Sequence, residues 1–327
     1  MDNTIIRVDS LRKAFKVSKR PRGFLGHVAN LFAPMYETRM AVNGISFAID
    51  QGEAVGLIGS NGAGKSTTMK MLSGILYPDS GSIEVAGFVP YRQRREYVAN
   101  IGAVFGQKSQ LSWDLPVIDS FDLLKHIYRV PEETYRANLA YFTELLGLAS
   151  FIHQPVRQLS LGQRMRADIT AALLHSPKLV FFDEPTIGLD VVVKERIREF
   201  VCRLNRERGV TILFTTHDMQ DIERTCKRLI IIDNGVKLYD GTVDGILDKC
   251  PCLPLRTFSG RQACASTRVP GTKGKGTAWW VAARGDHADP SRRLASSIRS
   301  HTSRCASFRM SGRRVSKKRA QSALLGK

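Results

Sequence analysis

Acidic residues and cysteines are both scarce in this sequence. Thirty Asp and Glu stand against 49 Lys and Arg, and six Cys are spread over 327 residues. So few cysteines do not make a disulfide scaffold. Cys202, Cys226, Cys250, Cys252, Cys264 and Cys305 also lack the paired spacing of a metal site, which Cys250-Pro-Cys252 alone does not supply. That usage fits a reducing cytoplasm. No stretch approaches the ~18 consecutive apolar residues of a membrane span. The opening MDNTIIRVDSLRKAF has no apolar core behind a basic start, so no secretory signal is expected. What is present, 43% hydrophobic and 24% charged residues, suffices to bury a sizeable core in one large domain or two smaller ones.

Taken whole, the net charge of +19 points to nucleic acid or an anionic surface as partner. Its distribution weakens that reading. Residues 251–327 hold 17 of the Lys and Arg but only Asp286 and Asp289 among the acids, so they carry +15 and the first 250 residues only +4. The basicity belongs to the tail. Residues 251–327 are rich in Ser, Gly and Arg and show no sustained period of 2 or 3.6. A disordered basic tail and out-of-frame translation both account for them. A second irregular segment, residues 17–38, joins a basic cluster (Lys19, Arg20 and Arg22, with Lys16 just before it) to Phe24, Leu25, Val28, Leu31 and Phe32 at helical spacing. It reads as an interfacial helix or as an insertion folded back on its own domain.

Between Ile5 and about Asp248 the chain alternates strands and helices. AVGLIG, KLVFF, VTILFTT and RLIIID are short apolar runs bounded by turn residues, as buried parallel strands should be. Helical spacing is expected over 65–76, 119–128, 133–146, 163–174, 193–207 and 218–226. Such alternation predicts an α/β domain with a mainly parallel sheet.

Gly59, Ser60, Asn61, Gly62, Ala63, Gly64, Lys65, Ser66 and Thr67 fill a phosphate-loop pattern, with a strand entering and a helix leaving. The glycines let backbone N–H groups turn inward as an anion cradle, at which the following helix N-terminus also points. Lys65 would reach the β- and γ-phosphates and the Ser66 hydroxyl would ligate Mg²⁺. An apolar strand ending in acids is the expected second half, and Leu179–Glu184 supplies it. Asp183 would hold the metal and Glu184 would polarise the attacking water as general base.

Together with Leu159-Ser160-Leu161-Gly162-Gln163 and Arg164, about 20 residues before the acid pair, these motifs resemble the nucleotide-binding subunits of ATP-binding cassette (ABC) transporters. The resemblance covers about residues 5–248. It implies a P-loop NTPase (RecA-like) core with a mainly parallel sheet, a small antiparallel β subdomain, and an inserted helical signature subdomain over about 108–165. In that family pattern Gln107 matches the Q-loop, sensing γ-phosphate and metal, and Ile187–Asp190 matches the D-loop. His217 matches the switch histidine that contacts the γ-phosphate. Ser160, Gly162 and Gln163 belong to the signature that serves a partner's nucleotide, and Asp190 to the nucleotide-binding set. Phe15 fits the aromatic that stacks on adenine, with Tyr36 as rival. Leu161 departs from the family's usual Gly, and altered packing across the dimer is expected there.

The resemblance further implies an ATP- and Mg²⁺-dependent ATPase over residues 1–250. It would work as a dimer with a like subunit, at the cytoplasmic face of the cell membrane, against separate permease chains. VFGQKSQLSWDLPVIDSF looks like an export-associated (ABC-2-type) branch, and Trp113 lies where a permease helix would dock or where the subdomain packs on itself. No specific nucleic acid is expected as partner. The alternative is a soluble cassette ATPase acting on DNA or the ribosome, with the tail as a phosphate-binding arm. A non-hydrolytic regulatory cassette is disfavoured, since no catalytic position is lost.

Overall fold

In the computed structural model, residues 3–18, 36–106 and 108–249 are described. Gln107, most of the 17–38 segment and the tail beyond residue 249 lie outside them. The chain divides into two units at Val243. The first unit holds both sheets, and of the second only the helical residues up to Lys249 are described.

Two long strands open the first unit, β1 (Thr4–Ser18) and β2 (Tyr36–Asp50). They pair antiparallel along their length, from Thr4↔Asp50 to Ser18↔Tyr36. Residues 17, 18 and 36–38, given to the irregular segment by the sequence, are thus the outer rungs of this ladder. With β4 (Ser80–Val85) they form a three-stranded sheet in the order β2-β1-β4. This is the antiparallel subdomain the resemblance implies.

The second sheet is built from β3 (Ala54–Ile58), β5 (Ile101–Phe105), β6 (Leu179–Asp183), β7 (Thr211–Thr216), β8 (Arg228–Asp233) and β9 (Val236–Thr242). Their order is β5-β6-β7-β3-β8-β9, parallel throughout except for the β8–β9 hairpin. All of β6 and β7 is buried, which explains why LVFFD and TILFTT lack alternation: both faces are covered. One core joins the two sheets. It runs from Ile6, Leu11 and Val42 through Val55, Leu57 and Met69 to Leu213 and Ile230.

The helices are α1 (Lys65–Leu72), α2 (Arg94–Val98), α3 (Val117–Tyr128), α4 (Glu132–Leu146), α5 (Leu161–Ala171), α6 (Val191–Arg208), α7 (Met219–Thr225) and α8 (Val243–Lys249). Helices α3 to α5 form the helical insertion between β5 and β6. Several ends are fixed by local chemistry. Helix α4 stops at Gly147 (φ 64°) and α6 at Gly209 (φ 64°), both left-handed. Among the described residues, no helix is long and apolar enough to cross a membrane.

Candidate active site

Register brings the motifs together. In the parallel ladder Ile58 of β3 is level with Thr216 of β7, and Thr215 of β7 is level with Asp183 of β6. The phosphate loop, the acid pair and His217 therefore leave the sheet side by side at its carboxyl edge, where open α/β sheets bind their ligands.

The loop itself is held by close backbone approaches. Gly64 has φ 108°, and a Cβ on it would stand 2.4 Å from the Ala41 carbonyl oxygen. Gly59 is as confined, with the Ile232 carbonyl oxygen 2.2 Å from where its Cβ would be. The Gly235 N–H donates to the Ala63 carbonyl (2.9 Å), and the Ser60 hydroxyl donates to Asp233 (3.1 Å). Strand β2 and the β8–β9 turn thus brace the loop from outside.

Lys65 is 4% exposed, and its Nζ donates to the carbonyls of Gly59 (2.8 Å) and Ser60 (3.2 Å). Burial lowers its pKa, against the raising effect of Glu184 and Asp183. Asp183 Oδ1 accepts from Ser66 Oγ (3.1 Å) and from Thr215 Oγ1 (2.7 Å). Glu184 lies at positive φ (53°), a rare region for a side chain of this kind. Its N–H is fixed there by the Thr215 carbonyl (3.1 Å) and hydroxyl (3.0 Å). The carboxylate so presented has Oε1 3.8 Å from Lys65 Nζ and 3.8 Å from His217 Nδ1. Lysine and imidazole thus both lie within ion-pair distance of one carboxylate oxygen without closing into hydrogen bonds.

The signature sits at the start of α5. Ser160 caps α5 in a reciprocal box: Gln163 N–H donates to Ser160 Oγ (3.2 Å), and Ser160 N–H donates to Gln163 Oε1 (2.8 Å). Ser160 is exposed, and Gly162 is buried, with Val193 3.1 Å from where a Cβ would stand. Asp190 caps α6 through Val193 N–H (2.9 Å). Leu161 reaches toward Gly188 of the D-loop, and Val191 and Val192 are largely exposed beside it. Signature and D-loop thus share one face. Phe15 is on β1 opposite Arg39, and Trp113 is 54% exposed beneath the Arg164 guanidinium rather than packed inside.

Sequence reading missed three supports. Thr215, inside an apolar run, ties Asp183 to Glu184. Asp221, fully buried, accepts from Thr186 (2.6 Å) ahead of the D-loop, from Thr216 (3.0 Å) ahead of His217 and from Arg198 (2.7 Å) on α6. Asp168 on α5 accepts from Ser109 (2.8 Å) and the Gln110 N–H (3.1 Å), which follow the Q-loop position. Only the hydroxyls of the TT pair before His217 hinted at such contacts.

A phosphate loop, a metal-type carboxylate and a poised glutamate on this sheet define a P-loop ATPase with an inserted signature subdomain. Comparison with known proteins narrows the class. The ABC transporter family model matches residues 42–187. The chain is 33% identical to the ABC transporter ATP-binding protein NatA of Bacillus subtilis over 64% of its own length and 84% of that protein. It is 35% identical to the Nod factor export ATP-binding protein I of Burkholderia orbicola, covering 65% and 69% of the two chains. A dimeric ATP-binding cassette solved in a post-hydrolysis state with ADP and Pi shares the fold, at a TM-score of 0.61 and 24% identity over 72% of this chain and 98% of that one. The chain belongs to the ABC transporter family as an ATP-binding ATPase subunit. These relatives lend no support to action on DNA or the ribosome.

Proposed function

We propose that this chain drives an export-type permease by hydrolysing ATP between two like subunits at the cytoplasmic face of the membrane. Residues 1–250 would form the nucleotide-binding domain. The observation that carries the reading is the convergence of Lys65 and His217 on Glu184, beside an Asp183 already tied to Ser66.

Gly59–Thr67 cradle the phosphates, and Phe15 supplies a half-exposed ring for the adenine. Register favours Phe15 over Tyr36. Phe15 pairs directly with Arg39, whose guanidinium approaches the loop, whereas Tyr36 is three residues from Arg39 and so on the opposite face of the strand. Ser66 and Asp183 suit Mg²⁺: one hydroxyl and one carboxylate, hard oxygens only, would hold it. Gln107 would join them. When bound, the ion would neutralise phosphate charge. Glu184 takes a proton from water as the water oxygen bonds to the γ-phosphorus. The bond to the bridging oxygen breaks, and ADP and phosphate are released. Lys65 and His217 hold the γ-phosphate oxygens.

Ser160 is exposed and, among the described residues, its side chain is bonded only to its own helix end, which leaves it available to a partner's nucleotide. Exposed Trp113, Leu115, Leu123 and Ile127 around α3 would anchor a permease segment. The Nod factor relative's name favours export.

Steady-state hydrolysis by Glu184→Gln tests the catalytic assignment. Turnover should fall by about 10²–10⁴-fold while ATP binding persists. Parental turnover would sink it.

A further inference from the structure

Arg39 stands where no described group explains it. It lies on β2, exposed, and no described carboxylate pairs with it. Its nearest acid on the same strand face is Glu37, with which it makes no ion pair. Yet its guanidinium is not loose over solvent alone. A methyl group built on Gly62, in the turn of the phosphate loop, would be 3.7 Å from Arg39 Nη2.

The placement is fixed by backbone. Ala41, two residues along β2 and at the register shift between the Lys13↔Val42 and Ala14↔Met40 pairs, has its carbonyl close against both Gly64 and Gly235. Asn43 N–H donates to the Gly235 carbonyl at 2.7 Å. Strand β2 therefore crosses the loop at a set height. Residue 39 projects over the loop, with Phe15 directly across the ladder.

We propose that Arg39 is a nucleotide contact whose guanidinium pairs with the phosphate chain of ATP. This rests on the reading that residues 59–67 bind ATP. The phosphate end of the nucleotide is favoured over the base because Gly62 belongs to the turn whose N–H groups form the anion cradle. The neighbouring strand offers Phe15 for the base instead. Lys65 enters the cradle from the helix side and is buried, whereas Arg39 enters from the strand side and is exposed. A planar guanidinium suits two phosphate oxygens at once. Of the two, Arg39 is the contact that can swing aside when product leaves.

Binding of ATP, ADP and adenosine to the full chain in the Glu184→Gln background, by calorimetry, tests this. Arg39→Ala should weaken ATP and ADP by about 10- to 100-fold, the loss of one charge-assisted hydrogen-bonded contact. Adenosine binding should not change, and Arg39→Lys should recover part of the loss. Parental ATP affinity in Arg39→Ala, or an equal loss for adenosine, would overturn the proposal. Lys65→Ala separates the two claims: if ATP affinity survives there, the loop reading fails; if it is lost there but kept in Arg39→Ala, only the Arg39 proposal fails. A thermal melt of each variant shows that the fold is retained. If Arg39→Ala melts early, Arg39→Lys and Arg39→Gln carry the comparison.

Discussion

Thr215 shows how much of an active site is held by groups that never touch the substrate. One hydroxyl donates to Asp183 and accepts from the Glu184 N–H, so the same side chain orients the metal-type carboxylate and secures the backbone of the proposed general base. The positive φ of Glu184 costs of order 1–3 kcal/mol and persists only because such contacts over-determine it. Thr215→Val keeps shape and the carbonyl contact while deleting the hydroxyl. It is expected to lower kcat by about 10–100-fold, the usual effect of losing an outer partner of a metal-site ligand, and to leave KM for ATP within a few-fold. Steady-state kinetics check this. An unchanged kcat would mean that strand β7 alone places the acid pair.

At the scale of elements, buried carboxylates tie segments distant in sequence together. Asp221 on α7 joins the segment before the D-loop, the segment before His217 and helix α6. Asp168 ties α5, the signature helix, to the residues after the Q-loop position. Burial pushes the Asp168 pKa up from 3.8 to about 6, against the lowering effect of Ser109, the Gln110 N–H and Arg164. Between those two values the folded state holds the proton and the unfolded state does not, so stability falls as pH rises through this window and levels off above it. The drop is about 3 kcal/mol. Asp168→Asn should remove it, and denaturant titrations of both proteins at pH 4 and pH 7.5 measure the difference. Parallel pH curves for parent and variant would contradict the assignment.

Motif spacing and strand pattern made the phosphate loop, the acid pair, the signature segment and the buried strands β6 and β7 legible in the sequence, because each depends on local residues. Thr215, Asp221 and Arg39 were not legible, since their partners are supplied by pairing between strands and helices distant in sequence. The outer rungs of β1 and β2 were also missed. The apolar residues that suggested helical spacing, Phe24 to Phe32, lie outside the described residues, and the exposed two-stranded ladder flanking them imposes no alternation strong enough to read.

For the whole molecule, charge and function separate. Among the described residues the last element ends at Lys249, and residues 251–327 carry +15. A chain ending at Lys249 is expected to bind ATP with parental affinity while losing most of its positive charge. Calorimetry beside the full chain decides this, and a tenfold loss would give the tail a part in the site. In the proposed dimer, Ser160, exposed at the start of α5 with Val191 and Val192 exposed at the start of α6, would complete the partner's site. The most direct test is the mass of Glu184→Gln in solution, by light scattering, with and without Mg²⁺ and ATP. The account predicts a monomer without nucleotide and a lasting dimer with ATP, abolished by adding Ser160→Arg. A monomer at saturating ATP, or a dimer indifferent to nucleotide and to Ser160, would contradict it.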